Sequence, residues 1–421
     1  MVPIEADRIG HTPCPCRSKT KSLPRKTEMQ IRALRVRNFR GIDDLQISFT
    51  DRLGRVRPIT VIAGPNGSGK TSILFSIVQA LRGVMGYQTD DVPEPSDFDV
   101  RTSAGTASLS PEPIQICVSV DVEFDQVERA AIPRIFEDTA DIRPTPETLP
   151  DLPSGRITAE WQYPPARLPD GTQKPTWYLS RTTPRDAIPW FHGYRHMILG
   201  WRRRKLRSRD LREQVGGLYL FPQDRGLRDR VVGRLDDATT DITDLVTETD
   251  EREERRQGRR GGSDVHGILK YLSEFGRAAR LEPDTLADTW EQRVKETFNR
   301  ICHPKEYLGF MYHRDAPTGA PYFRDSDNLY PLHMASSGEQ VIIEYITRLS
   351  YPSPLNHSIV LIDEPELHLH PGWIRRLYAA LPKIGVGNQY IMTTHSQELR
   401  SMAAADATLL VLGELDTVTT P

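Results

Sequence analysis

Cysteine is scarce in this sequence: four residues, Cys14, Cys16, Cys117 and Cys302, in a chain of 421. Cys14 and Cys16 are one residue apart, which is not zinc-ribbon spacing, and no second pair exists to complete a metal site. All four read as reduced thiols of a cytoplasmic protein. Long apolar runs are lacking as well. None approaches the roughly 20 residues that cross a bilayer, so no membrane partner is expected. The N-terminus is basic but has no apolar stretch behind it, which argues against a signal peptide. An excess of one charge is also missing. The formal net charge is −2 and the pI is near 6.6. That balance excludes nucleic-acid binding over the whole surface and leaves room for a local basic patch. Sustained heptads and internal repeats are absent, which excludes a long coiled coil and a repeat array.

What is present suffices for a large core: hydrophobic residues make up 38% and charged residues 27%. Residues 1–28 are rich in Pro, Lys and Arg without periodicity and read as a disordered tail, with Met29 as an alternative start. Ile31 to Phe39 and Leu45 to Phe49 read as strands, and Pro58 to Ala63 as a short buried one. Ile73, Leu74, Ile77, Val78 and Leu81 share one helical face. Alternation from Ile114 to Phe124 and from Ile157 to Tyr163 predicts half-buried strands, and 176–182 and 218–221 look like two more. Residues 226–303 turn helical, with one stripe at Ile268, Leu269, Leu272 and Phe275. A second stripe comprises Leu286, Trp290, Val294, Phe298 and Ile301. After residue 304 strand and helix alternate: helix Glu339 to Leu349, strand Ser358 to Ile362, helix Trp373 to Leu381, strands Tyr390 to Thr393 and Thr408 to Leu412. This order predicts a parallel sheet with helices on both faces.

Gly64-Pro65-Asn66-Gly67-Ser68-Gly69-Lys70-Thr71 matches the phosphate-loop pattern in full, between a strand and a helix. Glycines let backbone N–H groups wrap phosphate oxygens without Cβ clashes, and the following helix points its N-terminus at the anion. Lys70 supplies a mobile cation for the β- and γ-phosphates, and Thr71 offers a hydroxyl to Mg²⁺. The nucleotide-binding stretch extends to Ser72.

Ser358 to Glu364 is an apolar strand that ends in two acids, the position at which such sheets carry ligand-binding groups. Asp363 is expected to hold Mg²⁺, and Glu364 to polarise the attacking water. Alone, the pair could equally cap a helix. Thr393-Thr394-His395-Ser396 follows the next strand, which puts His395 beside the γ-phosphate. Ser336-Ser337-Gly338-Glu339-Gln340 precedes a helix. It reads either as a second anion site or as an ordinary N-cap.

In this order, these elements resemble the ABC-type ATPase heads of the SMC and RecF-like group. The likeness is closer to the short ATPases related to the OLD-type and Septu-type defence systems. It rests on VRNFRGI (Val36 to Ile42), MASSGEQ (Met334 to Gln340), and DEPELHLHP (Asp363 to Pro371) with Thr394-His395. The resemblance implies an α/β P-loop head: a parallel core sheet with an added antiparallel sheet and a helical insertion. It divides the chain into lobe I (29–225), insertion (226–303) and lobe II (304–421). It makes Glu364, Lys70 and His395 catalytic, with Thr71 and Asp363 at the metal. Ser336, Ser337, Gly338 and Glu339 become the signature motif, and Glu366 to Pro371 the D-loop, with His368 and His370 as packing residues rather than metal ligands. Two copies then sandwich two ATP molecules, each signature closing the other copy's phosphate loop. Phe221 to Arg225 resembles the strand-end arginine motif of these ATPases. The family's Q-loop glutamine has three candidates, Gln88, Gln115 and Gln126. The chain ends soon after Leu412, so no TOPRIM nuclease domain is expected.

Trp201 to Arg212 carries Arg202, Arg203, Arg204, Lys205, Arg207, Arg209 and Arg212, with Trp190, Phe191 and Tyr194 upstream. It reads either as a contact to nucleic-acid phosphates or as a solvated basic helix. The functions to weigh are therefore an ATPase that engages DNA in repair or genome defence, and an ATP-dependent scaffold that restrains a separately encoded nuclease or toxin. A transporter motor fits poorly, given the signature variant and the large insertion.

Overall fold

A computed structural model describes residues 29–81, 115–123, 130–131, 134, 137, 156–163, 177–179, 216–221, 223, 269–270, 287–313, 316–350 and 356–412. The expected tail, the basic segment with its aromatics, most of the helical insertion, Arg225, Gln88 and Gln126 lie outside these residues.

The centre is a five-stranded parallel sheet ordered β13-β3-β12-β11-β7. Its strands are β3 (Ile59–Ala63), β7 (Leu218–Phe221), β11 (Ile359–Asp363), β12 (Gln389–Thr394) and β13 (Leu409–Val411). β3 and β11 are near-continuous apolar runs, and β12 is buried along its whole length, because both faces of the sheet are covered. Alternate side chains serve the two layers. Ile62, Ile359, Leu361 and Ile391 face one core, while Val61, Val360, Ile362 and Met392 face the other. Each fully buried aliphatic chain contributes roughly 1.5–3 kcal/mol relative to exposure.

The first layer holds helix α1 (Lys70–Leu81) and a second sheet, antiparallel and ordered β2-β1-β4-β5-β6. Its strands are β1 (Gln30–Phe39), β2 (Ile42–Ser48), β4 (Ile116–Glu123), β5 (Arg156–Tyr163) and β6 (Trp177–Leu179). The apolar face read from the sequence on α1 is the buried one. The buried Gln389 side chain joins the two sheets. Its Oε1 accepts from Ile31 N at 2.6 Å and its Nε2 donates to Ile31 O at 2.9 Å.

The second layer contains α2 (Ala287–Cys302), α3 (Ser337–Ser350), α4 (Pro371–Ala380) and α5 (Gln397–Ala405). With them is a three-stranded antiparallel sheet of β8 (Glu306–His313), β9 (Ala316–Asp325) and β10 (Asn328–Pro331). Val294, Phe298 and Ile301 of the predicted stripe are the buried face of α2. β7, read from the sequence beside the antiparallel strands, instead pairs in parallel with β11. The core sheet thus draws strands from both sequence lobes. Among the described residues, no helix is long and apolar enough to cross a membrane.

Candidate active site

Parallel pairing brings the site together at one end of the sheet. β3 leads into the phosphate loop, and its neighbour β12 ends at Thr394, in register with Ala63. β11 lies on the other side of β12, with Asp363 in register with Thr393. Gly67 and Gly69 hold φ values of 77° and 86°, where an L side chain is strained. A Cβ on Gly69 would also sit 3.1 Å from Ile42, because the β1–β2 turn packs beneath the loop.

Lys70 is buried, and its Nζ donates to Gly64 O at 3.0 Å and Pro65 O at 2.9 Å. Burial pushes its ammonium below the ordinary lysine value, countered in part by the charges of Glu364, Asp363 and Glu366. Asp363 is buried too. It accepts from Thr71 Oγ1 at 2.9 Å and from Thr393 Oγ1. Burial raises its carboxyl, while the Thr393 and Thr71 hydrogen bonds act against that rise. A hydroxyl and a carboxylate this close form a hard-oxygen donor set that fits Mg²⁺, the cation a P-loop implies.

Glu364 follows at φ 47°, a conformation that costs a non-glycine residue on the order of 1–3 kcal/mol. Three contacts hold it there. Thr393 Oγ1 accepts from its backbone N at 3.2 Å. His395 Nε2 lies 3.1 Å from its Oε1, and Gln223 Nε2 donates to its Oε2 at 2.9 Å. Burial raises the Glu364 carboxyl, the charge of His395 opposes this, and those of Asp363 and Glu366 add to it.

Gln223 is the residue that sequence reasoning missed. It was not among the Q-loop candidates, yet among the described residues it is a glutamine that touches the strand-end carboxylate. Gln115 sits at the entry to β4, where its backbone carbonyl accepts from Asn38. The available signal was the FPQDR run at the end of 218–221, but its relevance depended on β7 lying beside β11.

Ser336 caps α3 in a reciprocal box: its N–H donates to Glu339 Oε2 at 2.8 Å, and Glu339 N–H donates to Ser336 Oγ at 3.4 Å. Tyr330 OH and Ser336 Oγ also donate to the buried Glu339, and Lys305 Nζ lies 3.2 Å from it. Burial alone would raise the Glu339 carboxyl. The bonds from Ser336, Tyr330 and Lys305 outweigh burial and hold it below the ordinary glutamate value. Ser336 and Ser337 are exposed. Gly338 is buried against the segment that carries His368, where an added Cβ would meet His368 O at 2.6 Å. His370 Nδ1 accepts from Gly372 N at 3.1 Å and caps α4, while His368 is exposed. Among the described residues, no group of three or more His, Cys, Asp or Glu side chains is arranged to hold a metal.

A family model described as "AAA domain, putative AbiEii toxin, Type IV TA system" matches residues 59–401. That span runs from β3 to α5. Two curated proteins are similar over shorter stretches. The "Retron Vc95 probable ATPase" of Vibrio cholerae serotype O1 biovar El Tor is 32% identical over 91 residues, 19% of this chain and 18% of that protein. The "Retron Ec83 probable ATPase" of Escherichia coli is 36% identical over 74 residues, 15% of this chain and 14% of that protein. The match therefore spans less than a fifth of either relative's length. Among solved structures, the "SmcHead bound to the C-winged helix domain of ScpA" aligns with a TM-score of 0.46 and 13% identity, covering 88% of this chain and 91% of that one.

Proposed function

The chain belongs to the AAA-domain family described by the AbiEii-type model, and from that membership we propose that it binds ATP with Mg²⁺ and hydrolyses it. One observation carries the reading: Glu364 is fixed between His395 and Gln223, next to the Thr71–Asp363 pair and the phosphate loop. The loop's backbone N–H groups and Lys70 bind the phosphates. Glu364 orients the attacking water and accepts its proton as the bond to the γ-phosphorus forms and the bond from that phosphorus to the β–γ bridging oxygen breaks, with ADP as the leaving group. His395 and Gln223 keep the Glu364 carboxylate aimed. Thr71 and Asp363 hold the cation, which when bound neutralises charge on the transferred phosphoryl group.

The exposed Ser336 and Ser337 at the start of α3 support a shared site, in which two copies each close the other's phosphate loop. The family description names a putative AbiEii toxin and a Type IV TA system, and both curated relatives are named as retron probable ATPases. These names support a defence role in which the ATPase cycle gates a separately encoded effector. Direct DNA contact is the second reading, favoured by the seven basic residues between Trp201 and Arg212.

Lys70→Ala tests the assignment. It removes the cation of the phosphate loop, and the sequence has no second such loop to compensate. ATP binding or turnover should be lost. Normal turnover by a clean preparation of the variant would overturn the assignment.

A further inference from the structure

Glu366 lies two residues past the proposed water-orienting carboxylate, and its side chain turns toward the next strand. Its Oε1 accepts from Thr394 Oγ1 at 2.7 Å, from His395 N at 2.7 Å and from Ser396 N at 3.0 Å. These three donors are the last residue of β12 and the two residues between β12 and α5. Its Oε2 is buried and has no hydrogen-bond partner among the described residues. The backbone on the Glu366 side is equally fixed, since Leu367 N donates to Glu364 O at 3.2 Å and Leu369 N to Glu366 O at 2.9 Å.

β11 and β12 run in parallel register up to Asp363 and Thr393, and beyond that point the sheet no longer ties the two chains together. Glu364 leaves from one strand and His395 from the other. Their 3.1 Å contact therefore depends on what holds the two loops after the sheet ends. Glu366 spans that gap with three bonds to a charged acceptor, which are about twice as strong as neutral ones. The N-cap Ser396 next in line anchors the same loop to α5 through its Oγ, which accepts from Leu399 N at 3.4 Å. A residue that only packed the D-loop would not need a carboxylate with one oxygen bound to three donors and the other buried unpaired, an arrangement that costs desolvation energy.

We infer that Glu366 is a positioning residue for His395: its carboxylate ties the His395–Ser396 backbone to the turn that carries Glu364, so that the imidazole stays on the hydrolytic carboxylate. The inference rests on the proposed roles of Glu364 and His395. It also makes the D-loop and the switch-histidine loop one mechanical unit, since a displacement of the segment after Glu364 moves His395 with it.

The test compares the full chain with Glu366→Ala, Glu366→Gln, His395→Ala and the double variant Glu366→Ala/His395→Ala. Glu366→Ala should lower kcat about tenfold to about a hundredfold, as small misplacements in a site do, with ATP affinity close to that of the parent. Glu366→Gln keeps an oxygen for the three donors and should restore most of the loss. The double variant should turn over no more slowly than His395→Ala alone, because both lesions remove the same contact. Hydrogen–deuterium exchange of peptides covering 393–397 should speed up in Glu366→Ala and not in Glu366→Gln. Additive losses in the double variant, parental kcat in Glu366→Ala, or unchanged exchange at 393–397 would each overturn the inference. A failure of the underlying reading looks different: His395→Ala then turns over ATP like the parent, while the exchange result still reports whether the clamp exists.

Discussion

His395 Nε2 lies 3.1 Å from Glu364 Oε1, and the other oxygen of that carboxylate accepts from Gln223 Nε2 at 2.9 Å. Both neighbours act on the orientation of one side chain. His395→Ala and Gln223→Ala should therefore lower kcat, each by roughly tenfold to a hundredfold, and leave the ATP dissociation constant nearly unchanged. Steady-state turnover beside equilibrium binding of a labelled nucleotide checks this. A Gln223→Ala protein with parental kcat would remove Gln223 from the site.

The phosphate loop was legible because it is a short, contiguous pattern with one chemical use, and the Asp363–Glu364 strand end, which alone could equally cap a helix, was legible beside it. Gln223 was not legible. It reaches Glu364 across 141 residues through the β7–β11 pairing, which nothing local announces. The β8–β10 sheet was missed for a different reason. β8 and β9 are irregular between Tyr307 and Gly309 and between Met311 and His313. Pro317 and Pro321 within β9 also read as loop. α5 went unnoticed because it is short, nine residues, and Leu399 and Met402 are its large apolar side chains. The Glu366 contacts carry little sequence signal because two of the three donors to its carboxylate, His395 N and Ser396 N, are backbone groups.

Glu339 yields a pH prediction. Its folded carboxyl lies below the ordinary glutamate value, so the ionised form is favoured by folding. Its contribution to stability is present above the unfolded value, about 4.3, and is lost as pH falls through the lower folded value. Glu339→Gln should be less stable than the parent near neutrality, by roughly 1–3 kcal/mol because Ser336, Tyr330 and Lys305 lose a charged acceptor. The gap should narrow as the pH drops toward 3. Melting temperatures measured from about pH 7 to about pH 3 decide it, and parallel curves would contradict it.

Gly338→Ala should be poorly tolerated. The new Cβ would lie 2.6 Å from His368 O, a backbone atom that cannot rotate away, and 3.2 Å from Trp373. Relief requires a shift of α3 or of the segment around His368 at a cost of about 1–3 kcal/mol. Thermal unfolding should show the loss while the phosphate loop still binds ATP. An unchanged melting temperature would mean that the contact relaxes without cost.

Ser337→Arg probes the shared site. If Ser337 only belonged to a capped first turn, the change would have a small effect on stability and leave catalysis alone. If Ser337 closes over the phosphates of a second copy, the variant should bind ATP yet turn over poorly. Mixing it with Lys70→Ala should restore part of the activity, because one site of each heterodimer then carries neither lesion. A fully active Ser337→Arg protein would rule out the shared site.

The most direct measurement is ATP binding and single-turnover hydrolysis by Glu364→Gln. The substitution keeps Asp363, Thr71 and Lys70 and preserves side-chain size, but removes the charge that orients water. The account predicts parental ATP affinity with hydrolysis slowed by about a hundredfold or more. Parental hydrolysis, or a loss of ATP affinity in place of a loss of rate, would contradict it.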